Sequence, residues 1–372
     1  MSLKSKKNRL LTGDTPTGRM HLGHWVGSME NRVAMQEEYD CFFLIANVHA
    51  FTTRVECPVD IRQSTLDIAI DNLAVGINPE KSALFIESDV PAIFELAALF
   101  SMLIPFPRLM RNPTIKDEIR DKKLGDNYSV GFLLYPILQV ADILAFRPDL
   151  VPVGEDQLPH LELAREVARR FNQLYCGVDP HTEDKAYLKK GGLLPIIEGK
   201  IGRVRRLVGM GGPDDRGQLL KMSKSLNNSI LLSDPPDIVR KKVMGMYTDP
   251  RRIHANDPGT VENNPLWIFH DTFNPDKRWV EEAKQRYREG KIGDVECKKI
   301  LVDVLLAFLS PIQARRAIYE NDLAEVQKIL TRGAKRANGI AEETLRLVKM
   351  AMRQVYSEVF ITSVDGKETK LR

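Results

Sequence analysis

The chain has 372 residues, with 54 Lys or Arg against 50 Asp or Glu for a formal charge of +4. That length predicts two or three domains, and 43% hydrophobic with 28% charged residues excludes collagen-like, disordered and disulfide-scaffold chains. No apolar run approaches the roughly 20 residues that cross a bilayer, so no membrane partner is expected.

The first half alternates short apolar runs with amphipathic stretches. Arg9–Thr12, Cys41–Ala46 and Leu84–Glu87 read as buried strands, each followed by helix-period sequence. The pattern predicts an α/β fold, a parallel sheet wrapped by helices. Asp60 to Val75 reads as a crossover helix, with Asp60 as N-cap and Gly76 as the stop. Pro105, Pro107 and Pro113 break the next segment, and Leu150–Val153 predicts another strand ahead of the helical run Leu158–Arg170. Lys189 to Lys221, with Gly209, Gly211, Gly212 and Gly217, lacks periodicity and reads as a mobile loop. From Ser233 helical periodicity returns: Asp234 is a candidate cap for a Pro-Pro first turn, Pro311 a candidate helix start, and helical segments extend to about Phe360.

Cys41, Cys57, Cys176 and Cys297 form no close pairs, which predicts reduced thiols in a cytoplasmic protein without a zinc or iron–sulfur site. Arg315, Arg316, Lys328, Arg332, Lys335, Arg336, Arg346, Lys349 and Arg353 lie on the C-terminal helices with acids between them. They read as solvated helix faces or as a surface that tracks phosphates.

Two constellations carry chemistry. Thr12-Gly13-Asp14-Thr15-Pro16-Thr17-Gly18-Arg19-Met20-His21-Leu22-Gly23-His24 follows the first strand and runs into a helix. Gly18 and Gly23 would permit close approach of a base and phosphates, and His21 and His24 would add donors at a helix N-terminus that already favours an anion. Lys221-Met222-Ser223-Lys224-Ser225 ends the Gly-rich segment. Two lysines on a flexible tether suit the negative charge of a leaving pyrophosphate.

Together these motifs resemble the class I aminoacyl-tRNA synthetases, with their His-Ile-Gly-His-like and Lys-Met-Ser-Lys-Ser loops. Tyr135 to Leu144 (YPILQVADIL), Val151 to Gln157 (VPVGEDQ), Ala74 to Pro79 and Leu84 to Pro91 are similar to tryptophanyl-tRNA synthetases. The resemblance runs from about Arg9 to Ser357. Gln139 stands where the bacterial tryptophanyl pattern has Met, and Tyr-x-x-x-Gln-x-x-Asp also occurs in tyrosyl-tRNA synthetases, so that enzyme is one alternative. A nucleotidyltransferase of the same superfamily and a non-catalytic binding protein are others.

The resemblance implies a Rossmann-like catalytic domain over residues 1–232, with a connective insertion near 91–135, and a helical anticodon-binding domain over 233–372. It implies ATP with Mg²⁺, L-tryptophan and tRNA(Trp) as ligands, and a homodimer joined through the insertion, for which Ile93–Ile104 is the candidate surface. His21, His24, Lys221 and Lys224 would be catalytic. Gly13, Thr15, Thr17, Gly18, Gly23, Lys116, Gly154, Asp156, Met222, Ser223 and Ser225 would bind ATP. Leu11, His49, Tyr135, Gln139, Asp142, Val151, Val153 and Gln157 would bind tryptophan. Asp142, in an apolar run, would be a poor fit without a hydrogen-bond donor, and the indole N–H of tryptophan would supply one.

Overall fold

A computed structural model describes residues 7–121, 124–125, 127–153, 158–201, 207–252, 254, 256–356, 360–362 and 368–370. Four apolar runs pair as parallel strands: β1 (Arg9–Asp14), β2 (Asp40–Ile45), β3 (Ala83–Ile86) and β4 (Leu150–Val153). β5 (Glu198–Ile201) joins β4 and completes the order β3-β2-β1-β4-β5. Chain order therefore reverses at β1, and such a switch point opens a ligand crevice beyond the carboxyl ends of the strands.

Successive strand residues face opposite sides. Leu10, Phe43, Ile45 and Leu84 enter one core, and Leu11, Phe42, Leu44 and Phe85 the other. Burial on both faces is why these strands read as continuous apolar runs.

The chain leaves β1 through α1 (Leu22–His24), a π-helical turn (Trp25–Met29) and α2 (Glu30–Met35). After β2 come α3 (Asn47–Arg54) and α4 (Pro58–Val75); after β3 come α5 (Ala92–Ser101), α6 (Phe106–Met110), α7 (Pro113–Asp121) and α8 (Val130–Leu144). α9 (Leu158–Cys176) links β4 to β5. The remaining helices are α10 (Pro236–Met244), α11 (Pro265–Phe273), α12 (Lys277–Arg288), α13 (Asp294–Asn321) and α14 (Leu323–Ala351). α10 to α13 extend the core that holds Leu10 and Phe43. α14 straddles the β3 edge, with Val326 to Leu330 in that core and Ala334 to Val348 in the other. A Cβ on Gly333 would lie 1.9 Å from the Leu84 carbonyl oxygen, so only glycine lets α14 press onto β3.

Several local readings are corrected. Pro58 opens α4, so Asp60 lies inside it, while Gly76 ends it at φ +116° as the sequence predicts. Asp234 accepts from the Leu231 N–H and Lys242 and does not cap α10. Pro311 lies within α13. The Gly-rich segment holds a strand, β5, and beyond α14 the chain forms an antiparallel pair, β6 (Phe360–Thr362) with β7 (Glu368–Lys370).

Much of the C-terminal basic charge is engaged in packing. Arg316 binds Asp67 at 2.8 Å and also Asp71, joining α13 to α4. Arg336 binds Asp40 and lies over the Phe42 ring, Arg332 meets Glu80 at 2.7 Å and Lys349 meets Glu95 at 2.7 Å.

Candidate active site

A cleft of about 330 Å³ opens at the carboxyl ends of β1 and β4. Leu11, Gly13, Thr15, Thr17, Gly18 and His24 form one part of its wall, and His49, Gln139 and Val151 another. Asp14 and Arg32 join them, a pair that motif reading did not single out. Arg32 holds both Asp14 oxygens, at 2.5 and 2.8 Å, and donates to Ser28 at 2.8 Å. Burial alone would raise the Asp14 carboxyl; the Arg32 guanidinium overrides it and holds it below the usual range.

The two histidines lock each other. His21 Nδ1 accepts from the Gly23 N–H at 3.1 Å, and His24 Nδ1 accepts from the His21 N–H at 3.0 Å. Both rings thereby carry their proton on Nε2, the atom left to donate. Burial, aided by the charges of His24, Lys224 and Lys221, pushes His21 down to about 2, and burial brings His24 down to about 4. Both are neutral donors at pH 7. A Cβ on Gly23 would meet the His21 ring at 2.9 Å, so this glycine makes room for a histidine as well as for any nucleotide. A Cβ on Gly13 would meet the Leu44 carbonyl oxygen at 2.9 Å, which makes that glycine a requirement of sheet packing. Gly18, at φ +104°, turns the loop beside Lys224.

The lysine loop is closed onto this platform. Leu22 N–H donates to the Ile230 carbonyl and Leu232 N–H to that of Met20, so the chain after the loop is stitched to the histidine turn. Lys224 Nζ donates to the Arg19 carbonyl at 3.0 Å and to Thr17 Oγ1 at 3.4 Å. Met222 is buried with its sulfur 3.3 Å from the Gly23 nitrogen, and Ser223 and Ser225 bond each other at 2.8 Å. Lys221 is exposed. Beneath the loop, Asp71 accepts from the Met20 N–H at 2.7 Å with one oxygen and from Arg316 with the other, and Asp67 takes both Arg19 and Arg316. A residue of α13 thus holds the turn on which Lys224 rests.

α8 supplies the other end of the cleft. Gln139 and Ile143 reach its wall, and Asp142 lies between them in the helix, 4% exposed, with Oδ1 unpartnered. Burial and the Glu87 charge raise the Asp142 carboxyl well above its ordinary range. Tyr135 is buried, donates to Glu118 at 3.1 Å and packs edge-on to His49 with ring centroids 5.0 Å apart. Glu87 is fully buried and was missed in the sequence, where one acid after a strand gives no sign of pointing inward.

Of the residues implied by resemblance, Leu11, Gly13, Thr15, Thr17, Gly18, His24, His49, Gln139 and Val151 come together around the cleft. His21, Gly23, Met222 and Lys224 form the layer against the histidine turn. Lys116 is exposed on α7, away from the cleft wall. Gly154, Asp156 and Gln157 lie outside the described residues, as does the side chain of Val153.

Residues 3–310 match the family described as tRNA synthetases class I (W and Y). The chain is 45% identical over 349 residues to the tryptophan--tRNA ligase of Chlamydia caviae, covering 92% of this chain and 95% of that one. It is 43% identical over 347 residues to that of Clostridium longisporum, covering 92% and 96%. Tryptophanyl-tRNA synthetase from Campylobacter jejuni, complexed with ADP and tryptophan, matches with a TM-score of 0.77 at 29% identity over 93% of this chain and 99% of that one. Tyrosyl-tRNA synthetase from Archaeoglobus fulgidus shares the fold at a TM-score of 0.60 and 20% identity, covering 83% and 90%. The chain belongs to the class I tRNA synthetases of the tryptophan and tyrosine group.

Proposed function

We propose that the chain activates L-tryptophan with ATP to tryptophanyl-adenylate and pyrophosphate, then transfers the tryptophanyl group to tRNA(Trp), releasing AMP. The relatives at 43–45% identity are tryptophan ligases, whereas the likeness to a tyrosyl enzyme is at 20%. The observation that carries the reading is Asp142: a buried carboxyl with an unpartnered oxygen beside the cleft asks for a ligand donor, and an indole N–H is one. An amino acid without that donor would leave the oxygen unpaired and be rejected.

The tryptophan carboxylate attacks the α-phosphate in line as the bond to pyrophosphate breaks. A terminal ribose hydroxyl of the tRNA then attacks the adenylate carbonyl and AMP leaves. Neither step needs an enzyme nucleophile, so positioning and charge do the work. Lys224 and Lys221 stabilise the pyrophosphate, and His24 donates Nε2–H toward the phosphates. Mg²⁺ enters with ATP on the phosphate oxygens. Gln139 and Tyr135, with Gln157, offer oxygens to the substrate ammonium.

Residues 1–232 act as the catalytic domain and 233–372 carry the anticodon contacts, in a cytoplasmic homodimer. On α5, Ile93, Leu96 and Phe100 face the chain's own core, while Met102, Phe106, Val130 and Leu134 remain exposed for a partner. Sedimentation tests this part: a fully active monomer would refute it. The main test is exchange of labelled pyrophosphate into ATP. Tryptophan should support it at least roughly 10³-fold better than tyrosine or phenylalanine, and a better rate with tyrosine would replace this reading.

A further inference from the structure

α3 presents His49 to the cleft, yet its own N-cap residue, Ala46, has no side-chain acceptor for the first N–H groups of the helix. The acceptor comes from another part of the chain. Glu87 lies in the 3₁₀ turn Glu87–Asp89 after β3, fully buried, and its Oε2 accepts from the N–H groups of Val48 at 2.9 Å and His49 at 3.1 Å. That turn is itself anchored. Asn338 of α14 donates to the Asp89 carbonyl at 2.7 Å. Asn47 Nδ2 donates to Ser88 Oγ, and the Ser88 N–H donates back to Asn47 Oδ1, each at 3.0 Å. The far end of α3 is held separately, by Arg54 donating to the Pro16 carbonyl at 3.0 Å.

A serine or aspartate N-cap would satisfy the same N–H groups locally, whereas a buried carboxyl disfavours folding unless it is bonded. What a glutamate reaching in from the end of β3 adds is a fixed distance between the sheet and the backbone of His49. The His49 ring packs edge-on to Tyr135, centroids 5.0 Å apart, and lines the cleft with Gln139. Glu87 itself is not part of the cleft wall.

We propose that Glu87 is a positioning residue for amino-acid binding: by tying the His49 N–H to the end of β3 it sets where the His49 imidazole stands in the cleft. The inference rests on the reading of His49 as a residue of the tryptophan site. The role depends on reach rather than on charge, because what the two N–H groups need is an oxygen at that place. Because α3 is anchored independently at Pro16, loss of the Glu87 acceptor frees its first turn and leaves the end beside the nucleotide loop held. The effect therefore falls on the amino acid and spares ATP.

The test is pyrophosphate exchange by the full chain, with KM for tryptophan, KM for ATP and kcat read separately. Glu87→Gln keeps a carbonyl oxygen at the same reach and should hold the tryptophan KM within about threefold. Glu87→Met removes the acceptor and Glu87→Asp withdraws it by a methylene. Each should raise the tryptophan KM about five- to tenfold, the affinity equivalent of a lost cap, with the ATP KM and kcat within about twofold. Ser88→Ala cuts a neighbouring bond between the same two segments and should change the tryptophan KM by less than about twofold. A Glu87→Met chain that loses kcat while its tryptophan KM stays parental overturns the proposal, since the residue then supports only the fold. Should Glu87→Met not fold, Glu87→Asp and Glu87→Gln decide alone, and equal tryptophan KM values in the two overturn it. His49→Ala separates the two readings. If it leaves the tryptophan KM unchanged, His49 is not in the amino-acid site and this inference falls with that reading. If it raises KM, adding Glu87→Met should change it by less than about twofold; a second full increase keeps the reading of His49 and overturns the action of Glu87 through it.

Discussion

The two ends of the cleft are built on opposite plans. At the nucleotide end the polar groups are paired before any ligand arrives: His21 and His24 bond each other's turn, Arg32 grips Asp14, Asp71 is divided between Met20 and Arg316, and Lys224 rests on the Arg19 carbonyl. At the amino-acid end Glu87 and Asp142 each keep an unpartnered oxygen. Phosphate charge is the same in every ATP, so a preorganised donor set serves it without reorganisation. Discrimination among amino acids needs the reverse, a buried acceptor that stays unsatisfied unless the right donor fills it.

The largest test of the preorganised end is Arg316. Replacing it by Met strands Asp71 without its guanidinium and leaves Asp67 only Arg19, and breaking a buried pair from one side costs about 3–5 kcal/mol. Urea unfolding should show that loss, and Asp71→Asn added to Arg316→Met should recover part of it. A variant as stable as the parent would separate α13 from the histidine turn. Next is Lys224→Ala, which removes a donor whose partner charge develops during reaction, so adenylate formation should slow about 10²–10³-fold with tryptophan affinity kept within about threefold. Rapid-quench measurement of a near-parental rate would sink the role given to Lys224.

A smaller effect is expected at the C-terminal surface. Arg336 is committed to Asp40 and Phe42, so its reversal tests packing, whereas Lys335 is exposed on α14 and is the better probe of tRNA. Lys335→Glu should weaken tRNA charging by a few-fold, more at low salt, and leave pyrophosphate exchange intact. The smallest signal should come from the histidines. Both lie below their ordinary 6.5, His24 at about 4, so they stay neutral and kcat should show no break as pH falls from 6.5 toward 5. A depressed histidine contributes stability above 6.5 that is lost as pH falls through that window toward 4, because the unfolded chain takes up the proton first. His24→Gln should therefore flatten the acid side of the stability profile.

How much could be read without coordinates differs by element. β1 to β4 were legible because both faces are buried and their apolar runs are continuous. β5, with the sequence EGKI, has no such run; it is a strand because β4 offers it an edge, and Gly199 has no side chain to meet Leu161, whose methyl lies 2.5 Å from where a Cβ would stand. Pro311 looked like a helix start, since local chemistry disfavours proline inside a helix, yet α13 runs through it.

The sequence by itself determined the fold class and marked the histidine and lysine loops, because these depend on residue periodicity and on motifs confined to a few consecutive residues. It also marked Asp142, as an acid in an apolar run. Only the tertiary structure decided which charges turn inward. Arg316 looks like its solvated neighbours until α13 docks on α4. Glu87 becomes the cap of α3 only when the end of β3 is brought against that helix. Burial is a property of what packs around a side chain, and contacts between segments far apart in the chain leave no local trace in either one.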